Sequence, residues 1–304
     1  MSFYQDYNDK LAFEQWNTRR RPDYRHIQVT PIAPALGAEV SGIDLRQELQ
    51  PEQVAEIRQA IADNLVLVFR NQPLDSAQHK RFVRHFGELH RHALVGEDSW
   101  GVDKKDPEVR AWKTTRHSRF TAGEAWHSDT TCDVQPIWAS VLRVTRLPEI
   151  GGGDTAFANL YLAYESLSDP IKQLLDGLTA IHDGAEAWSD GYGVAPPPGQ
   201  QFPQTEHPVV VRHPLTGRKF LFVNASFTTH IVQLTRAESD ALLQLLFRHI
   251  ERHLSFQARI HWAPDSLIFW DNWATQHHAV WDYYPCERSG ERVSAVSDQR
   301  PQAA

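Results

Sequence analysis

Residues 207–224 read HPVVVRHPLTGRKFLFVN. Two runs rich in β-branched and aromatic residues, 207–212 and 219–224, flank Pro214-Leu215-Thr216-Gly217, whose proline and glycine supply the backbone angles of a tight turn. The stretch therefore predicts a β-hairpin. Runs of the same kind recur at 64–70 (NLVLVFR), 138–146 (WASVLRVTR), 257–262 (QARIHW) and 267–270 (LIFW). Helical patterns are fewer. Residues 51–63 open on a proline, which costs no hydrogen bond at a helix start, and 76–88 are amphipathic. Residues 235–253 begin with the capping box Thr235-x-x-Glu238. Many short strands with a few packing helices predict a mainly β fold of the sandwich or jelly-roll kind, not alternating βαβ units.

The chain has 304 residues, enough for one large domain or two small ones, and 41% of them are hydrophobic. A net charge of −7 argues against a general affinity for nucleic acid or an anionic membrane. Two cysteines, Cys132 and Cys286, leave no room for a disulfide framework or a thiolate zinc site. The opening MSFYQDYNDKLAFEQ lacks a signal-like apolar core, and the run from Leu65 to Phe69 is far too short to span a bilayer. A cytoplasmic protein is expected. Residues 183–206, rich in Gly, Pro and polar side chains, and 96–123 read as long loops, and loops of such length inside a domain often serve as lids.

The count of 16 histidines directs attention to metal chemistry. His127-Ser128-Asp129 is the chain's only His-x-Asp, and side chains at i and i+2 of an extended segment share a face, so both could bind one ion. His249-Ile250-Glu251, the only His-x-Glu, falls in the helical pattern and reads as a solvated face instead. A third ligand is expected at His277, beyond the strand 267–270; spacing alone does not separate it from His278. Two histidines and one carboxylate on one face of an iron leave positions open for oxygen and a chelating co-substrate.

Four motifs in order resemble the taurine dioxygenase family of Fe(II)/2-oxoglutarate-dependent enzymes. They are Trp126-His127-Ser128-Asp129, Gly152-Gly153-Asp154-Thr155, Trp270-Asp271-Asn272-x-x-Thr275-Gln276-His277 and Arg288-x-x-x-Arg292. The likeness runs from about Ile27 to Asp298. It implies a double-stranded β-helix (jelly-roll) domain over 27–300, preceded by an extension at 1–26, with lid insertions near 93–125 and 183–206. It also implies that His127, Asp129 and His277 hold Fe(II), selecting His277 over His278. Thr155 and Arg288 would bind the distal carboxylate of 2-oxoglutarate, for which a planar guanidinium offers two parallel charge-assisted bonds. His92 and Arg292 align with residues that bind a substrate sulfonate, and Phe227 with an apolar wall of that pocket.

The implied reaction consumes 2-oxoglutarate and O2, releases succinate and CO2, and hydroxylates a small anionic molecule such as a sulfonate, an alkyl sulfate or a carboxylate. Hydroxylation beside a sulfonate or sulfate ester gives a product that collapses with release of sulfite or sulfate. The sequence departs from the taurine pattern at Gly123, where an asparagine is usual, at Trp273 and at Glu287. Loss of a polar contact at Gly123 would remove a discriminating hydrogen bond and enlarge the pocket, which places taurine itself in doubt. A metal-dependent hydrolase on the same three ligands and a non-catalytic jelly-roll binding protein are the competing readings, and ten tryptophans are compatible with a homo-oligomer, a dimer or tetramer.

Overall fold

In the computed structural model, residues 7–92, 106–121, 123–192 and 198–304 are described. The expected excess of strands over helices is present. A seven-stranded sheet is formed by β1 (Gln28–Pro31), β2 (Ala38–Ser41), β3 (Val66–Phe69), β4 (Arg110–Thr114), β5 (Ile137–Arg146), β13 (Leu267–Asp271) and β15 (Arg288–Val296). Their order across the sheet is β1-β2-β3-β13-β5-β15-β4. Only the β2–β3 pair is parallel. A second sheet is built from β6 (Thr155–Asn159), β12 (Gln257–Ile260) and β14 (Thr275–Ala279), with β6 in the middle. A third joins β7 (Thr179–Asp183), β8 (Gln204–Pro208) and β11 (Thr228–Ile231), and β9 (Val210–Arg212) pairs with β10 (Lys219–Leu221).

The centre of the large sheet explains why its strands read as unbroken apolar runs. All four residues of β3 and all five of β13 are buried, so there is no solvent face to impose alternation. Each fully buried side chain of the β3 run contributes about 1.5–3 kcal/mol relative to exposure. Helices α2 (Pro51–Asn64) and α3 (Ser76–Arg84) cover this sheet. Their contact is aromatic: Phe82 meets Phe69, Phe86 and Phe269 edge-on, with ring centroids 5.3–6.0 Å apart.

The remaining helices are α1 (Tyr7–Thr18), α4 (Leu160–Glu165), α5 (Asp169–Leu175), α6 (Gly184–Tyr192) and α7 (Arg236–Arg252). On α7 the capping box forms as expected, Thr235 accepting from the Glu238 amide while the Glu238 carboxylate accepts from Thr235. Within the extension at 1–26, α1 docks on α4, with Trp16 buried and its Nε1 donating to Pro34 O at 2.9 Å.

Several expectations need correction. The stretch 183–206 is not one loop: α6 occupies Gly184–Tyr192, and β8 begins at Gln204. Its composition hid a short helix of about two and a half turns before the proline run, and residues 193–197 lie outside the described residues. Within 93–125, residues 93–105 are likewise outside them, but Arg110–Thr114 forms the edge strand β4, whose RAWKT sequence has no apolar alternation to announce it. The hairpin at 207–224 forms with Lys219 opposite Arg212, yet its first arm is broken at Val209, where the chain leaves β8 for β9. His249 is not solvated but half-buried, its Nε2 3.0 Å from both Ser166 Oγ and Ala163 O.

Candidate active site

A cavity of about 660 Å³ opens between the large sheet and the β12-β6-β14 sheet. His127, Asp129, Thr155, His277, Arg288 and Arg292 all line it, as do Gly123 and Trp270. Thus six of the eight residues singled out from the sequence meet at one place. His92 and Phe227 are not among its lining residues.

The three metal-ligand candidates are placed by backbone pairing as much as by their own side chains. His127 and His277 exchange two backbone hydrogen bonds, at 3.1 and 2.8 Å, which extends the second sheet by a single bridge. The two rings lie 4.1 Å apart. The extended geometry at His127 turns into a tight turn at Asp129, so the expected strand is one bridge long; the shared face of His127 and Asp129 nonetheless holds, with Nε2 and Oδ1 3.7 Å apart. His277 Nε2 is 3.5 Å from Asp129 Oδ2. One ligand atom from each residue falls within 4.8 Å of the others, and no other such group occurs among the described residues.

A second layer fixes this arrangement, and the sequence reading missed it. Asn272 clamps the backbone of Asp129 from both sides, its Oδ1 accepting from the Asp129 amide at 2.9 Å and its Nδ2 donating to the Asp129 carbonyl at 3.0 Å. Ser128 Oγ donates to Thr275 O at 2.7 Å. Asp271 Oδ1 accepts from the Trp273 and Ala274 amides, closing the turn that leads to His277. Its Oδ2 lies 2.9 Å from His213 Nε2 in a fully buried pair. A short polar run, Trp-Asp-Asn, between two buried strands was the available signal, because buried polar groups in such a place must have partners.

The electrostatics suit a cation. Burial lowers His277 well below the usual imidazole range and lowers His127 too, so both offer a neutral ring. His127 Nδ1 lies 2.8 Å from Ala125 O, which fixes the proton there and leaves Nε2 as the ligand atom. For Asp129, burial alone would raise the pKa, but Arg292 beside it outweighs burial and holds the carboxylate ionised well below its ordinary range. Arg292 Nη1 donates directly to Asp129 Oδ2. Two imidazoles and an ionised carboxylate converging on one point form the donor set of a non-haem iron site, and the residues present fit that ion.

The two arginines face the cavity from β15, four residues apart and on the same side of the strand. Nε and Nη2 of both Arg288 and Arg292 are buried without hydrogen-bond partners among the described residues. Such donors are costly unless a ligand accepts them. Arg288 is packed between aromatic rings, its guanidinium 4.5 Å from the Trp112 ring and 5.6 Å from Trp262. Trp262 Nε1 donates to Thr155 Oγ1 at 3.2 Å, orienting that hydroxyl. Gly153 lies against the stem of Arg288: a Cβ there would fall 2.7 Å from Arg288 Cδ.

His92 is buried with Nε2 lacking a partner, and its ring meets His90 edge-on at 4.7 Å. Burial and then Arg292 bring its pKa down to about 2. Phe227 stands before β11, where its carbonyl accepts from the Asp183 amide at 2.8 Å. Gly123 has φ +84°, and a Cβ on it would lie 3.1 Å from His127 Cε1, so its lack of a side chain keeps open the space over the imidazole. Glu287 turns outward to Lys113 at 3.2 Å and Arg146 at 2.5 Å. Trp273 is buried, with Nε1 donating to Pro136 O.

Among known proteins, residues 28–294 match the family described as "Taurine catabolism dioxygenase TauD, TfdA family". The chain is 32% identical over 285 residues to an alpha-ketoglutarate-dependent sulfonate dioxygenase of Saccharomyces cerevisiae, covering 90% of this chain and 68% of that protein. It is 30% identical over 290 residues to an alpha-ketoglutarate-dependent sulfate ester dioxygenase of Pseudomonas putida, covering 91% and 92% of the two. A solved taurine dioxygenase from Burkholderia xenovorans aligns with a TM-score of 0.76 at 36% identity, over 92% of each chain. Since the family match spans most of the sequence and includes every cavity-lining residue of the four motifs, the chain belongs to the taurine catabolism dioxygenase TauD/TfdA family.

Proposed function

We propose that this chain is an Fe(II)- and 2-oxoglutarate-dependent dioxygenase that hydroxylates a small anionic organic molecule, with the roles of its residues assigned as follows. His127, Asp129 and His277 would hold the iron. Arg288 and Thr155 would take the distal carboxylate of 2-oxoglutarate, and Arg292, with His92 beside it, the anionic group of the substrate. Phe227 would form an apolar wall of the substrate's place, although neither it nor His92 is among the residues lining the cavity. The core is read as a double-stranded β-helix, residues 27–300 as a single domain, and the assembly as a homo-oligomer. Among the described residues no helix is long and apolar enough to cross a membrane.

One observation carries the reading. Three metal-ligand atoms within 4.8 Å of one another share a cavity with two buried guanidiniums whose free donors point to anions. A hydrolase on the same ligands would have no use for the second of those arginines. When bound, iron with 2-oxoglutarate and O2 supplies the oxidant that replaces a C–H bond by C–O. The protein's share is geometric. Arg288, wedged between Trp112 and Trp262, fixes the far end of the co-substrate, while Arg292 ties the substrate's anion to the carboxylate of Asp129 and so to the reacting position. Trp270, Leu142 and Ala279 give the cavity apolar walls that exclude water.

The test is succinate release by iron-loaded protein given 2-oxoglutarate, O2 and a panel of sulfonates, sulfate esters and aryloxy acids. Substrate-dependent succinate, abolished in Asp129→Ala with an unchanged circular dichroism spectrum, is the expected result. Near-native turnover in that variant would sink the metal assignment.

A further inference from the structure

We infer that Arg259 is a positioning residue for the co-substrate, bracing the pocket for the distal carboxylate of 2-oxoglutarate from the outer face of the β12-β6-β14 sheet. The inference rests on the dioxygenase reading of the site above, and Arg259 is not among the residues lining the cavity. In the β12–β6 ladder Ile260 stands opposite Thr155 and Arg259 opposite Ala156. Side chains alternate along a strand, so with Thr155 toward the cavity Arg259 is carried on the face away from it. Its side chain is half-exposed there.

The guanidinium joins two carboxylates from distant parts of the chain. Its Nε donates to Asp154 Oδ2 at 2.6 Å and its Nη2 to Asp282 Oδ2 at 2.7 Å. Asp154 has a second contact on its other oxygen, with His261 Nδ1 2.9 Å from Oδ1. The other oxygen of Asp282 accepts from the Gly153 amide at 2.8 Å. Gly152 makes room for this approach, since a Cβ on it would fall 2.5 Å from Asp282 Oδ1. The Asp154 carbonyl in turn accepts from the Val280 amide at 3.0 Å. The brace therefore ties together β12, the turn that precedes β6, and the connection from β14 to β15.

Each of those three segments carries one wall of the 2-oxoglutarate pocket. From β12 the chain runs on to Trp262, whose Nε1 orients Thr155 Oγ1. Asp154 immediately precedes Thr155. Asp282 precedes Tyr283, which is buried with its ring 5.9 Å from the Arg288 guanidinium. Gly153 is held between these parts: a Cβ on it would meet Arg288 Cδ at 2.7 Å and Tyr283 Cδ1 at 3.2 Å. One carboxylate can be met by Thr155 and Arg288 together only if the segments keep their spacing, and Arg259 spans all three. A planar guanidinium serves two carboxylates through fixed directions, which an ammonium does not. Ion pairs as exposed as these add little to global stability. The role of Arg259 is thus local, in the spacing of the pocket.

The experiment uses the full chain loaded with metal, without oxygen. Calorimetry reads the binding of 2-oxoglutarate and of oxalate, a metal chelator with no distal carboxylate. Arg259→Met is expected to raise the Kd of 2-oxoglutarate about three- to tenfold and to leave that of oxalate within about twofold. Arg259→Lys should recover part of the loss. Hydrogen exchange of the Gly153 amide, followed without any ligand, should be at least about fivefold faster in Arg259→Met. Arg236→Met, which removes an exposed pair with Asp240 on α7, should change none of these values. An unchanged Kd for 2-oxoglutarate, equal losses for 2-oxoglutarate and oxalate, or unchanged exchange at Gly153 in Arg259→Met would each overturn the inference. Native protein that takes up no 2-oxoglutarate, with Gly153 exchange still quickened in the variant, would reject the dioxygenase reading and leave the brace in place. Binding of 2-oxoglutarate that is indifferent to Arg259 would do the reverse.

Discussion

Replacing Gly153 by alanine should strike the co-substrate before it strikes the fold. Gly153 has φ +71°, a left-handed conformation that an L-residue enters at about 1–2 kcal/mol. Its added Cβ would lie 2.7 Å from Arg288 Cδ and 2.8 Å from Nε, against about 3.5–4.0 Å for ordinary contact. Arg288 cannot swing aside freely, because Trp112 and Trp262 flank its guanidinium. Overpacking of this kind adds about 1–3 kcal/mol. A displaced guanidinium loses the parallel alignment on which a carboxylate pair depends. Loss of a hydrogen bond to a charged group, about 1.5–3 kcal/mol, corresponds to about 10- to 150-fold in Kd. Titration calorimetry of 2-oxoglutarate into metal-loaded protein without oxygen measures this directly, with urea unfolding alongside. Gly151→Ala is the control: its φ is +78°, but nothing lies within 4 Å of the added Cβ. It should lose only about 1–2 kcal/mol of stability and bind 2-oxoglutarate normally. If Gly153→Ala also bound 2-oxoglutarate within twofold of the native protein, the cradle argument for Arg288 would be wrong.

Two further outcomes are expected. His213→Leu removes the imidazole 2.9 Å from the buried Asp271 Oδ2 and should cost about 1–3 kcal/mol in urea unfolding, whereas a loss below about 0.5 kcal/mol would show the contact to be incidental. Burial depresses His79 and His182 to about pH 3 each, so between there and the ordinary imidazole range the unfolded chain binds protons that the folded chain refuses. Their contribution to stability is therefore complete above about pH 6.5 and is lost as pH falls toward 3, each at about 1.36 kcal/mol per pH unit. His79→Leu should reduce the slope of stability against pH between 4 and 6 by one proton, and an unchanged slope would refute this.

What could be read from the sequence divides along physical lines. The apolar cores of β3 and β13 and the capped start of α7 were visible because they depend on residues a few positions apart. Strand β14 was not, for its sequence TQHHA is polar and owes its place to pairing with β6 and to the His127 bridge. Helix α6 was hidden by two glycines inside it and prolines after it. At the site, the ligand types were legible in His127-x-Asp129, but their meeting with His277 depends on a backbone bridge across 150 residues, which no local pattern encodes. The Asn272 clamp is likewise a property of pairing.

The cavity's two sides differ in how firmly they are tied to the rest of the molecule. Arg288 and Arg292 stand on β15, held by ladders on both flanks, and His277 stands on β14, which is bonded to β6 and bridged to His127. Among the described residues, strand β4 is the outermost of its sheet and is laddered to β15 alone. Amino-acid changes at Trp112 thus disturb one strand ladder, whereas changes at the ligand-bearing strands propagate into the core. Such a division lets drift and selection rewrite what the cavity accepts while the oxidative machinery stays as it is. It also marks β4 as the place to begin when redirecting the enzyme toward a new anion.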